Sequence, residues 1–283
     1  MDARQQRVIQ RRGWDRASAC YEQYWQDQLR PAQDALLEAV SLAPGDDVID
    51  VACGSGALTM AIATAVGPAG RVLATDLSPK MAAATEARAV AAGAHNVEAS
   101  CGDAEDLDVD SQFDVGLCSL GLMYLANPSA AVAALHRAVR PGGRVGVSVW
   151  GERSRCGWAG LFGIVDARVT SDVCPRFFAL GGPGVLSGLL ERAGFVDVNE
   201  TRLDVPLDYR DHAEALGAAF LGGPVALAYG MFDPTTRQQV SDEYLESIAA
   251  FRCRDGSYRV PGEFVVASGR RISNTNTNQR SNT

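Results

Sequence analysis

No stretch of the 283 residues supplies the roughly 20 consecutive apolar residues that a membrane-crossing helix requires. Histidine is scarce, with three in the whole chain. The seven cysteines form no Cys-x-x-Cys pair and no Cys/His cluster at metal-ligand spacing, so no metal site is expected. Positive charge is also in deficit: the formal net charge is −8, whereas a general nucleic-acid surface draws on clustered Lys and Arg. The opening segment MDARQQRVIQRRGW is charged and lacks the apolar core of a signal peptide. With an odd number of thiols, this points to a reduced, cytoplasmic protein. What is present is ordinary globular material, 47% hydrophobic and 21% charged. Its length suits one large α/β domain with additions, or two small domains.

Residues 1–43 read as helical, with apolar positions in PAQDALLEAVSLA that suit docking on the domain C-terminal to them. Short apolar runs then alternate with helical patterns. Strands are expected at 48–51, 71–76, 96–104, 113–120 and, after a Pro141-Gly142-Gly143 turn, 144–150. The intervening helices are 57–66, 79–92 and 128–140; Ser78 is the expected N-cap, Pro79 the first helical residue and Gly93 the C-cap of the second. Such alternation predicts a parallel sheet with helices on both faces and a ligand beyond the carboxyl ends of the strands. Two irregular insertions are expected, at about 151–181 and 206–260. Between them lie a helix, 184–195, and a sixth strand, FVDVNETRLDV; the seventh is EFVVASGR. The polar tail 271–283 is expected to be disordered.

The most informative stretch is VIDVACGSGALTMAIA, where a strand ends on an acid, passes a glycine turn and opens into a helix. A dinucleotide-binding turn needs a third glycine for close helix–strand packing, and Thr59 stands in that place. A carboxylate at Asp50 would repel a pyrophosphate and suit a cationic ligand.

Asp-x-x-x-Gly-x-Gly followed by an acid at the end of the next strand, Asp76, resembles a class I S-adenosylmethionine-dependent methyltransferase. VIDVACGSG, LATDLSPKM, GDAEDL and FDVGLCSLGLMYLANPSAAVAALHRAVRPGGRVGVSVW follow that family's motifs in order. The chain is most similar to the ubiquinone/menaquinone C-methyltransferase-like (methyltransferase type 11) subgroup, over residues 14–150. The resemblance implies a Rossmann-like α/β fold with a seven-stranded, mostly parallel sheet, the last strand antiparallel. It also implies a domain over 44–270, with 1–43 as a helical lid. The implied cofactor is S-adenosylmethionine, with S-adenosylhomocysteine as product. Asp50 would then hold the methionyl ammonium, with Ala52 standing where many relatives have glycine. Gly54 and Gly56 would let the ligand pass close to the backbone. Asp76 would accept both ribose hydroxyls. Leu77 would cover the adenine face, Asp103 and Ala104 would meet its edge, and Ser119 and Leu120 would line the pocket near the sulfonium. Trp14, Tyr21, Tyr24 and Trp25 would be lid aromatics, or plain helix packing.

Methyl transfer needs alignment and exclusion of water, and a base only when the acceptor must lose a proton. His212 is the one histidine expected to reach the site, and Tyr124 a second candidate for touching the acceptor. The apolar SLGLMYL after the fourth strand lacks the Asn-Pro-Pro-Tyr of base-amine methyltransferases. A small-molecule acceptor is therefore expected, rather than nucleic acid or a membrane. The Phe-, Leu- and Gly-rich insertions suit an apolar cavity or a homodimer surface. The competing readings are a cofactor-binding protein that promotes a cyclisation or rearrangement, or acts as a binding module, and an NAD-dependent oxidoreductase.

Overall fold

Seven strands form one sheet: β1 (Asp47–Val51), β2 (Arg71–Asp76), β3 (Val97–Cys101), β4 (Phe113–Ser119), β5 (Val139–Trp150), β6 (Phe195–Tyr209) and β7 (Tyr258–Arg271). The computed structural model describes residues 3–169, 174 and 176–273. The strand order is β3-β2-β1-β4-β5-β7-β6. All pairings from β3 to β5 are parallel, and β7 lies antiparallel between β5 and β6. The chain winds outward from β1 to β3, then returns to place β4 on the other side of β1. The crevice outside β1 and β4 is thus a topological switch point, where open α/β sheets bind ligands.

The crossover helices are α2 (Ala57–Val66), α3 (Pro79–Ala92) and α4 (Pro128–Ala138). The limits of α3 follow from its local chemistry. Ser78 accepts the Met81 N–H at 3.2 Å, Pro79 occupies the first helical position, and Gly93 ends the helix at φ 64°. Ahead of the sheet runs α1 (Ala3–Val40), one helix of 38 residues that includes Pro31. Its second half buries Trp25, Leu29, Ala32, Leu36 and Val40. Arg144 caps the end of α1 through the Val40 carbonyl at 3.0 Å and pairs with Asp46 at 2.6 Å.

Two boundaries differ from the sequence expectation. α4 stops at Ala138, and Pro141-Gly142-Gly143 lies inside β5 as a bulge: pairing jumps from Phe113–Val139 to Val115–Arg144. The sixth and seventh strands are also longer than their apolar alternation suggests, staying paired out to Tyr209–Tyr258. Pro206 interrupts the pattern in β6, but β6 is an edge strand, where a missing N–H is tolerated. Opposite it, Pro261 lies beyond Phe264, the last residue of β7 paired with β5. The second insertion therefore spans 210–257 and carries α7 (His212–Phe220), α8 (Ala226–Met231) and α9 (Pro234–Ser247) on a protruding hairpin. The first insertion holds α5 (Gly160–Asp166), and α6 (Val185–Arg192) precedes β6. The polar tail from 274 onward lies outside the described residues. Among the described residues no helix is long and apolar enough to cross a membrane.

Candidate active site

At the end of β1 the backbone turns through residues held in the left-handed region: Ala52 at φ 57°, Gly54 at 59° and Gly56 at 82°. Glycine meets that requirement freely, but Ala52 does not, and a non-glycine residue there carries strain. Leu120, after β4, is held at φ 56°. Both strained residues line the same cavity. Gly56 lies deeper. A Cβ there would fall 2.9 Å from both Cγ2 and Oγ1 of Thr85, so its smallness serves the contact between α2 and α3.

Asp50 also sits behind the cavity wall, 1% exposed. Its carboxylate accepts the Thr59 hydroxyl at 2.7 Å. Burial pushes its pKa up to about 7, the Thr59 bond opposes this, and the charge of Asp76 adds to the rise. Thr59, which the sequence offered only as a missing third glycine, is the residue that orients the acid.

Asp76 ends β2 with its carboxylate on the cavity. It accepts the Ser78 N–H at 2.8 Å and the Gly54 N–H at 3.0 Å. Burial lifts its pKa to about 6 against these two bonds. Leu77, Asp103 and Ala104 line the same end. Asp103 accepts the Glu105 N–H at 2.9 Å and pairs with Arg7 at 2.8 Å. Arg7 also reaches Glu105 at 2.5 Å, Asp15 accepts the Ser78 hydroxyl at 2.6 Å, and Glu22 pairs with Arg88. These three ties lay the first half of α1 across the strand ends.

The other end of the cavity is aromatic. Tyr124 packs edge-on against Trp14 at 4.9 Å and Phe177 at 5.4 Å, and Trp14 packs against Tyr21 at 5.7 Å. Burial raises both the Tyr21 and Tyr124 phenols above their ordinary value, so each keeps its proton near neutrality. Trp25, Trp150 and Trp158 form a second cluster with centroids 4.8–6.4 Å apart. Ser119 faces Ser148 at 3.2 Å between the two ends.

Of the residues singled out from sequence, Trp14, Tyr21, Ala52, Gly54, Asp76, Leu77, Asp103, Ala104, Ser119, Leu120 and Tyr124 all line this one cavity. Asp50 and Gly56 support it from behind. His212 does not reach it. It is the exposed first residue of α7, directly after the Asp211 cap, and its ring lies 5.6 Å from Tyr258. Sequence reasoning left Trp150 and Trp158 out of the candidate site. Trp150 carried a usable signal, since it ends β5 on the ligand side of the sheet.

A family model described as a methyltransferase domain matches residues 48–143. The chain is 31% identical to nocamycin O-methyltransferase of Saccharothrix syringae, over 84% of this chain and 90% of that one. It is 38% identical to the ubiquinone/menaquinone biosynthesis C-methyltransferase UbiE of Burkholderia mallei, over 37% of this chain and 43% of that one. Among solved structures, the [4+2]-cyclase SpnF shares the fold at a TM-score of 0.54 and 20% identity, over 86% of this chain and 80% of that one. A match along nine-tenths of a relative's length, together with the domain match over β1 to the start of β5, assigns the chain: it belongs to the class I S-adenosylmethionine-dependent methyltransferases.

Proposed function

We propose that the chain methylates an oxygen, carbon or nitrogen atom of a small, largely apolar metabolite inside a cavity covered by α1. One observation carries this: the carboxylates of Asp76 and Asp103 and the tryptophan cluster open onto a single cavity. S-adenosylmethionine supplies a methyl group on a cationic sulfur when bound. The residues fit it. Gly54, at φ 59° and without a side chain, keeps the turn bare on its cavity side, where the Tyr21 ring of α1 lies against it as a cover. Asp76 would accept the ribose hydroxyls. Leu77, Asp103 and Ala104 would meet the base. Asp50, fixed by Thr59, would face the positive end of the ligand through the turn. A cationic neighbour favours the ionised forms of Asp50 and Asp76, both held up by burial.

The cavity encloses about 100 Å³, below the roughly 300–1,000 Å³ of ordinary ligand pockets. Admission of donor and acceptor therefore calls for α1 to lift and release Arg7, Asp15 and Glu22. Residues 1–43 then act as a lid on a cofactor-binding domain at 44–270. The name of the relative matched over 90% of its length supports oxygen as the reacting atom. With both phenols protonated, the chain's part is to align the acceptor and exclude water. The apolar lining and the net charge of −8 support a small molecule over nucleic acid, in a cytoplasmic setting.

The fold shared with a [4+2]-cyclase favours a second reading, in which the cofactor stays bound and the cavity promotes a cyclisation. Incubation with methyl-labelled S-adenosylmethionine and a panel of oxygenated aromatic and aliphatic acceptors separates the two. Label in the product with equal formation of S-adenosylhomocysteine supports transfer. Unlabelled rearranged product with intact cofactor supports the second reading.

A further inference from the structure

Two indole N–H groups in the aromatic half of the cavity have no hydrogen-bond partner among the described residues: Nε1 of Trp25 and Nε1 of Trp158. Trp25 is 8% exposed and Trp158 4%. Both residues line the cavity, and their ring centroids are 6.4 Å apart. A buried donor without a partner loses its bonds to water and regains nothing, and native structures hold few of them. Two such donors beside one cavity point to something that arrives later.

Glycine backbone passes beside Trp25. Gly222 and Gly223 line the cavity next to its N–H. A Cβ on Gly222 would fall 3.2 Å from Nε1, and one on Gly223 would fall 3.9 Å away. The absence of a side chain at Gly222 lets this backbone pass close beside the indole without supplying it an acceptor. Trp158 is held from the other side by Trp150 at 4.8 Å and Phe177 at 5.6 Å. The unmet polar demand of these tryptophans is for acceptor atoms.

We propose that the methyl acceptor is a flat, oxygen-bearing molecule whose carbonyl or ether oxygens receive the N–H groups of Trp25 and Trp158 while its rings pack on the tryptophan cluster. This rests on the methyl-transfer reading of the same cavity. The two indoles select for oxygenation and set the depth of the ring system, which places the reacting atom relative to Ser119 and Leu120. Trp25 and Trp158 are specificity residues, with no share in proton transfer, because an indole N–H only donates.

The test uses the full chain saturated with S-adenosylhomocysteine and two flat bicyclic probes, chromone with two oxygens and naphthalene with none. Titration of S-adenosylhomocysteine alone comes first. Its failure to bind would remove the methyltransferase reading itself, independently of the comparison between the two probes. With the cofactor product bound, calorimetry is expected to show chromone binding more tightly than naphthalene, by about fivefold for each hydrogen bond gained. In ¹⁵N–¹H spectra the four tryptophans give four indole signals. Chromone is expected to move two of them downfield, and these are the signals missing from Trp25→Phe and Trp158→Phe. Each replacement should also narrow the gap between the probes. Should either variant fail to fold, the wild-type spectra and the probe ratio still decide. Equal affinities, no binding of either probe, or downfield shifts confined to the other two tryptophans would overturn the proposal.

Discussion

Thr59→Val removes one hydroxyl and keeps the shape of the side chain, so it isolates the bond between Thr59 and Asp50. That bond is 2.7 Å long and buried at both ends. A hydrogen bond to a charged group contributes about 1.5–3 kcal/mol, and one between neutral groups about 0.5–1.5 kcal/mol. Which value applies depends on the proton of Asp50, whose folded pKa is about 7 against an ordinary 3.8. Below the ordinary value the acid is protonated in both folded and unfolded chains. Between the two values only the folded chain keeps the proton, so stability falls as pH rises through this window, and it levels off above about 7. Loss of the Thr59 donor raises the folded value further, so the variant goes on losing stability above pH 7 where the wild type has levelled off. At pH 8 the expected loss is roughly 2 kcal/mol, or about 3–4 °C in Tm for a chain of 283 residues. At pH 5 it shrinks to about half of that or less. Thermal unfolding followed by circular dichroism at both pH values measures it. Equal losses at pH 5 and pH 8 would refute a buried, titrating Asp50 held by Thr59.

Asp76→Asn keeps one oxygen to accept from Gly54 or Ser78 but removes the charge. It should weaken S-adenosylhomocysteine binding roughly ten- to a hundredfold by calorimetry, with the circular dichroism spectrum unchanged. Ala52→Gly relieves a residue held at φ 57° and should stabilise the protein by about 1 kcal/mol in urea unfolding. Gly56→Ala combines φ 82° with a Cβ 2.9 Å from Thr85, and should cost about 3 kcal/mol in the same assay. Tyr124→Phe removes a phenol whose pKa burial raises. It should leave kcat within about threefold at pH 7–9, because a group that stays protonated contributes none of the roughly hundredfold or more expected of a base; a larger loss would identify Tyr124 as a proton acceptor.

Much of the Asp76 end of the cavity was legible because its signals are local. Asp50, Gly54 and Asp76 follow from two strand ends and one turn, and the limits of α3 from Ser78, Pro79 and Gly93. The length of the β6–β7 hairpin was not legible. It depends on pairing between residues as far apart as Tyr209 and Tyr258, and two prolines disguise it. The tryptophan cluster was only partly visible for the same reason: Trp25 stood out among the aromatics of α1, but Trp150 and Trp158 come from a strand end and an insertion, and only tertiary packing brings the three together. His212 shows the converse. A histidine in a well-placed insertion still has a direction, and at the first residue of α7 that direction is away from the cavity. Thr59 was visible throughout but was weighed only as the absence of glycine; its hydroxyl, in the first turn of the helix after Asp50, was the positive signal.

The hairpin of β6 and β7 acts as an arm that carries its own share of the cavity. Ala219, Gly222, Gly223 and Pro224, which line the cavity, hang from the end of this arm. Gly54, Asp76, Leu77, Asp103 and Ala104 lie at the ends of the parallel strands. Part of the cavity wall therefore belongs to a separately anchored piece of backbone. Exchanging residues 210–257 between relatives should shift substrate preference in part, with Trp25 and Trp158 kept in place and cofactor affinity unchanged, which makes the arm a natural cassette for engineering.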